Sequence, residues 1–155
     1  MRKIMVITFG LFVLGFGCKK ENSQTGQASL IKTQWILSYI QDSKTNAIIN
    51  YPNDASRRIS ITFTDSLNFL SFSGICNGGL GTYSYSSVTD SIKIINLGLT
   101  KIACKYAEWE SYTGDNLIDA YKYKINGNSL IIYSKGTYNL HFNHWKKIAC
   151  IQHAI

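Results

Sequence analysis

Four glycines fall within residues 74–81, and a cysteine and an asparagine sit among them: Gly74-Ile75-Cys76-Asn77-Gly78-Gly79-Leu80-Gly81-Thr82-Tyr83. Glycine has no β carbon, so a stretch this rich in it either adopts backbone angles closed to other residues or lets another segment approach closely. Asparagine bonds to neighbouring backbone and tolerates the left-handed region. The spacing predicts a tight, non-repetitive corner between aromatic-rich apolar runs, with Gly74, Asn77, Gly78, Gly81 and Tyr83 fixing its path. A phosphate-cradling loop would need a lysine followed by Ser or Thr after the glycines, and that pair is missing. A second cysteine follows one strand-like run later, in Thr100-Lys101-Ile102-Ala103-Cys104.

The first residues read as an address. Arg2 and Lys3 precede an uncharged run over 4–16, which has signal-peptide length and is short for a bilayer span. The run ends in Leu14-Gly15-Phe16-Gly17-Cys18, which resembles the lipobox of bacterial lipoproteins. That resemblance implies cleavage after Gly17 and palmitate-type acylation of Cys18, with the two or more chains that stable anchoring needs. Lys19 stands where lipoproteins of the inner membrane commonly carry Asp, which by that analogy points to the outer membrane. Residues 22–28 are polar and serve as a tether. The expected organisation is a signal peptide over 1–17, a tether over 18–29, a folded domain over 30–145 and a tail over 146–155.

Charge narrows the partners. Sixteen Lys and Arg stand against nine Asp and Glu, or fourteen against nine without Arg2 and Lys3. The lysines are scattered, with no basic stripe interleaved with aromatics, so a nucleic-acid surface is excluded. Ten tyrosines, seven phenylalanines and three tryptophans, against one proline, favour strands.

Along the chain, residues 33–40 alternate, with Trp35, Leu37 and Tyr39 on one side. Residues 41–56 read as a long polar loop with one short strand near Ile48. Residues 57–64 and 68–73 form a hairpin through Asp65-Ser66, and 82–87 and 91–97 are further strands. Residues 105–120 form the one helix-like segment, interrupted by Gly114. Residues 121–125 and 129–134 flank Asn126-Gly127, a strong hairpin turn, and 137–142 make the last strand.

These pieces together resemble the META domain (HslJ-like) family of lipoproteins, whose pattern runs approximately G-x-C-N-x-x-x-G-x-Y and then T-x-x-A-C. Gly74, Cys76, Asn77, Gly81 and Tyr83 carry the first part, and Thr100, Ala103 and Cys104 the second. Trp35 with Leu37 near the start, and Glu110, Tyr112 and Leu117 in the helical segment, add to the likeness, which covers residues 31–142. It implies an α+β fold, an antiparallel β-sheet curled into a partial barrel with one packed helix. Members of the family have been linked to heat shock, drug tolerance and virulence without a settled activity.

No catalytic constellation emerges. Cys76 and Cys104 are disulfide candidates, because export places them where thiols pair; two buried reduced thiols and a functional thiol remain open beside that reading. Cys150 is left over. No Cys-x-x-Cys pair supports a metal site. His141, His144 and His153 read as surface residues, since positions three apart on a strand face opposite ways. Glu108, Glu110, Asp115 and Asp119 read as the wet face of the helix. The expected function is a lipid-anchored cell-envelope protein with a non-catalytic binding or support role and a place in envelope stress. It would need no cofactor or metal, and its partners would be the membrane, through Cys18, and an envelope protein or ligand. The alternative is a lipocalin-like carrier of a small apolar ligand.

Overall fold

The computed structural model describes residues 28–145, and nine strands and one α-helix lie among them. The strands are β1 (Gln34–Asp42), β2 (Ile48–Asn50), β3 (Ser60–Phe63), β4 (Phe69–Ser73), β5 (Gly78–Ser86), β6 (Ser91–Leu99), β7 (Ala120–Asn126), β8 (Ser129–Ser134) and β9 (Tyr138–His144). The helix, α1 (Ala107–Ile118), connects β6 to β7. Gly114 does not break it, so the segment is one helix and not two pieces.

Consecutive strands from β3 to β9 pair antiparallel. β1 closes the circle: its first residues pair with β3 (Gln34↔Thr62 to Ile36↔Ser60), and its other edge pairs with β9 from Trp35↔His144 to Asp42↔Tyr138. The expected partial barrel is therefore a closed barrel of eight antiparallel strands. Closure gives both edges of β1 a partner, which removes an exposed strand edge. β2 pairs with β1 beyond the point where β3 ends (Tyr39↔Asn50 to Gln41↔Ile48).

The interior is filled by one face of each strand. Trp35, Leu37, Phe63, Leu70, Ile132 and Leu140 are fully buried, and Phe63 meets Tyr83 edge-on at 4.9 Å. Inward and outward positions alternate along a strand, but β1 slips. Its register against β9 shifts between Leu37 and Tyr39, so that Ile40 is the next buried residue. A bulge of this kind moves the following side chains to the opposite face. Tyr39, expected beside Trp35 and Leu37, instead stacks on His141 at 4.2 Å.

The helix covers one end of the barrel. α1 meets the β4–β5 connection through Glu110, the end of β6 through Gly114 against Leu99, and the start of β9 through Asn116, whose Oδ1 accepts from Tyr138 N at 2.9 Å. Those three places share one end of an up-and-down barrel. The chain enters at the other end, where Ala28 N donates to Gly127 O at 3.0 Å and Leu30 O accepts from Trp35 Nε1 at 3.2 Å.

Candidate functional site

The glycine-cysteine stretch divides in two. Residues 74–77 make the corner, closed by Gly74 N donating to Asn77 O at 2.7 Å. Gly78, Gly81 and Tyr83, expected to belong to the turn, lie in β5. Left-handed angles are not the reason for the glycines here, because Gly127 is the positive-φ glycine among the described residues. Close approach is the reason: a β carbon on Gly74 would collide with Glu110 Oε1, and one on Gly81 with the Asn96 carbonyl of β6. Tyr83 points into the barrel, and its hydroxyl donates to Thr64 O at 2.9 Å.

Glu110 is what the corner approaches. It was expected on the wet face of the helix with Glu108, Asp115 and Asp119, yet it is only 3 % exposed. Its Oε1 accepts from the backbone N–H of Cys76 at 2.8 Å and of Asn77 at 3.0 Å, and its Oε2 accepts from Asn77 Nδ2. Burial alone would raise the carboxyl pKa, but the hydrogen bonds from Asn77 and the 75–77 backbone outweigh it and hold the group below its ordinary 4.5. Glu110 is therefore a buried anion with its donors in place, the condition under which burying a charge is tolerated.

Asn77 carries the network onward. Its Oδ1 accepts from Thr100 Oγ1 at 2.9 Å and from Ile102 N at 2.7 Å, and its Nδ2 also reaches Ile102 O at 3.0 Å. Its side chain thus spans to another segment instead of closing on its own backbone. Cys76 and Cys104 form a disulfide, with Cα atoms 6.6 Å apart. Corner, 100–104 segment and helix are tied by one covalent link and one polar network. The two sulfurs and the Glu110 carboxylate lie within 4.8 Å of one another, a metal-like cluster, but bonded sulfurs offer no thiolate. The segment leading into the helix is held by Asp54, which accepts from Lys105 Nζ at 2.9 Å and Tyr106 Oη at 2.6 Å.

Beside this corner lies a groove of about 590 Å3 between α1 and the end of β6. Asn77, Thr100 and Glu110 are among its polar lining residues, and Leu97, Leu99, Ile102, Ala107 and Ile118 give it an apolar lining, with Lys101 and Asp115 as its exposed charges. No local pattern marks the groove, since its wall is shared between a strand and a helix that meet only in three dimensions.

The histidines differ from expectation. His141 is half-buried on Tyr39 and bonds to Gln41 Oε1 at 3.1 Å; burial holds its imidazole below 6.5. His144 tucks Nδ1 away from solvent, its ring 6.1 Å from that of Trp35. Cys18, Cys150 and His153 lie outside the described residues.

Two solved structures share the fold. A protein from Burkholderia xenovorans matches with a TM-score of 0.64 at 18 % identity, over 76 % of this chain and 85 % of that one. A DUF4847 family protein from Bacteroides vulgatus matches with a TM-score of 0.55 at 16 % identity, over 76 % and 96 %. No curated protein matches in sequence. The family model described as META domain matches residues 28–146, across the whole barrel, its corner and its helix, and this chain belongs to the META domain family.

Proposed function

We propose that this META domain is a non-catalytic binding module of the bacterial cell envelope, anchored to the outer membrane through acylated Cys18 and acting in envelope stress. One observation carries the reading: the chain enters the barrel at the end opposite α1. An anchor before residue 28 then tethers that end, while the disulfide-braced corner and its groove face away from the lipid surface. The rigid bracing supports presentation of a surface over chemistry. The corner's sulfurs are bonded and its carboxylate is saturated by donors, so neither is poised as a nucleophile or general base. Among the described residues no helix is long and apolar enough to cross a membrane.

The test is mass spectrometry of the intact protein taken from membranes. Cleavage before Cys18 with added acyl mass supports the reading, together with release of Cys18→Ser into the soluble fraction. An unmodified Cys18 in the mature chain overturns the anchor. For a lipocalin-like carrier the barrel interior is occupied by its own side chains, so an apolar ligand would have to use the groove beside α1. Native mass spectrometry of the purified protein, read for a co-purified small molecule, separates the carrier from the module.

A further inference from the structure

β6 is bonded along only one side. β5 pairs with it from Gly79↔Leu99 to Ser86↔Ser91, whereas β7 pairs at Ser91↔Lys122. Among the described residues, the rest of that second edge, over 92–99, has no strand partner. Alternate residues of a strand direct their N–H and C=O groups to opposite sides, so this edge presents a row of backbone donors and acceptors. Such an edge is a template for another strand.

The last part of this edge lies beside α1: the apolar groove runs between the helix and Leu97 and Leu99, with Ile102 60 % and Ile118 52 % exposed at its rim. A free strand edge with a helix as the opposite wall fits one occupant, an extended segment that pairs with the edge and lays alternate side chains into the groove. The neighbouring helix obstructs a second barrel from pairing edge to edge with β6. Lys101 and Asp115 are the exposed charges that line it, one of each sign, which selects a near-neutral apolar segment over a charged one. At about 3.3 Å per residue, the stretch of β6 that lines the groove, Leu97 to Leu99, pairs with roughly three to four residues of such a segment.

We propose that the β6–α1 groove binds an extended apolar peptide of a partner protein by adding it as a strand to β6. The proposal names the partner class for the binding module above and rests on that reading. Its test does not involve the lipid, so failure here leaves the state of Cys18 to be judged separately.

The full mature chain carrying Cys18→Ser, with its disulfide intact, is panned against a phage library of random ten-residue peptides. The enriched peptides are synthesised and added to isotope-labelled protein. The expected result is shifted amide resonances over residues 97–99, with hydrogen exchange there slowed at least tenfold. I102K and I118K, both at exposed positions, should weaken binding at least tenfold with an unchanged circular dichroism spectrum. Peptides N-methylated at every second residue should divide by register: one series loses binding and the other keeps it, because only one set of N–H groups faces β6. Failure to enrich any peptide overturns the proposal, as does binding that maps elsewhere or equal binding of both methylated series. A doubled mass in sedimentation with the same amides shifted also overturns it, since the occupant would then be a second copy.

Discussion

Gly74 and Glu110 share one space: a β carbon on residue 74 would occupy the position of the Glu110 carboxylate, and it would also press on Asn77 O. Gly74→Ala should therefore destabilise the fold by about 1–3 kcal/mol, the usual cost of overpacking a filled site. Gly78→Ala is the contrast, because its nearest neighbour would be Phe72 O at 3.8 Å. At Gly78 a side chain restricts the unfolded chain without a clash, and stability should rise by about 0.4–1 kcal/mol. Urea unfolding midpoints of the two variants read the opposite signs; a harmless Gly74→Ala would contradict the close approach.

Glu110→Ala removes the acceptor from two backbone N–H groups and the Asn77 amide. Buried donors left without a partner cost about 1–3 kcal/mol, and chemical denaturation should show a loss in that range or above. The effect has a definite pH dependence. The folded pKa lies below the unfolded value, so the contribution of Glu110 is present above pH 4.5 and is lost as pH falls through the folded value. The stability gap between wild type and Glu110→Gln should narrow on acidification below that point. A gap unchanged from pH 6 to pH 2 would show that the charge contributes nothing.

The Cys76–Cys104 link closes a loop of sequence separation 28. In the chain-entropy account such a loop contributes about 3.6 kcal/mol through the unfolded state. A Cys76→Ser/Cys104→Ser double variant should lose about that much in guanidinium unfolding, and wild type should lose a comparable amount in the presence of reductant. Reductant should leave the double variant unaffected.

Tyr51 and Tyr83 hold their protons in alkali. Burial pushes the Tyr51 and Tyr83 phenols up to about 12. In the unfolded chain they ionise near 10, so stability is unaffected below that pH and falls as pH rises from about 10 to 12. Absorbance titration at 295 nm should show fewer tyrosines ionised at pH 11 in the folded protein than after unfolding in guanidinium, and a Tyr51→Phe/Tyr83→Phe variant should shrink that deficit by about two. Tyr83→Phe also removes the bond to Thr64 O and should cost about 1 kcal/mol.

Much of the fold was legible in the order of residues. Alternation marked β1 and β3, Asn126-Gly127 marked the β7–β8 hairpin, and the cysteines marked the bridge, because each signal is local or belongs to a short motif. Tyr39 was misread because a bulge is one extra residue in a ladder and leaves no mark on hydrophobic alternation. β5 begins at Gly78, ahead of the expected strand over 82–87, because glycines that read as a turn lie with their backbones against Gly98 and Asn96 of β6.

The sequence by itself determined a strand-rich META domain, one helix, and a corner carrying Cys76 and Asn77. Tertiary structure alone decided that β1 pairs with β9 to close the barrel and that Glu110 turns inward as a buried anion. It also left β6 half unpaired beside α1. Closure, burial of a charge and an unpaired edge all depend on which distant segments meet, and no periodicity along the chain encodes that meeting.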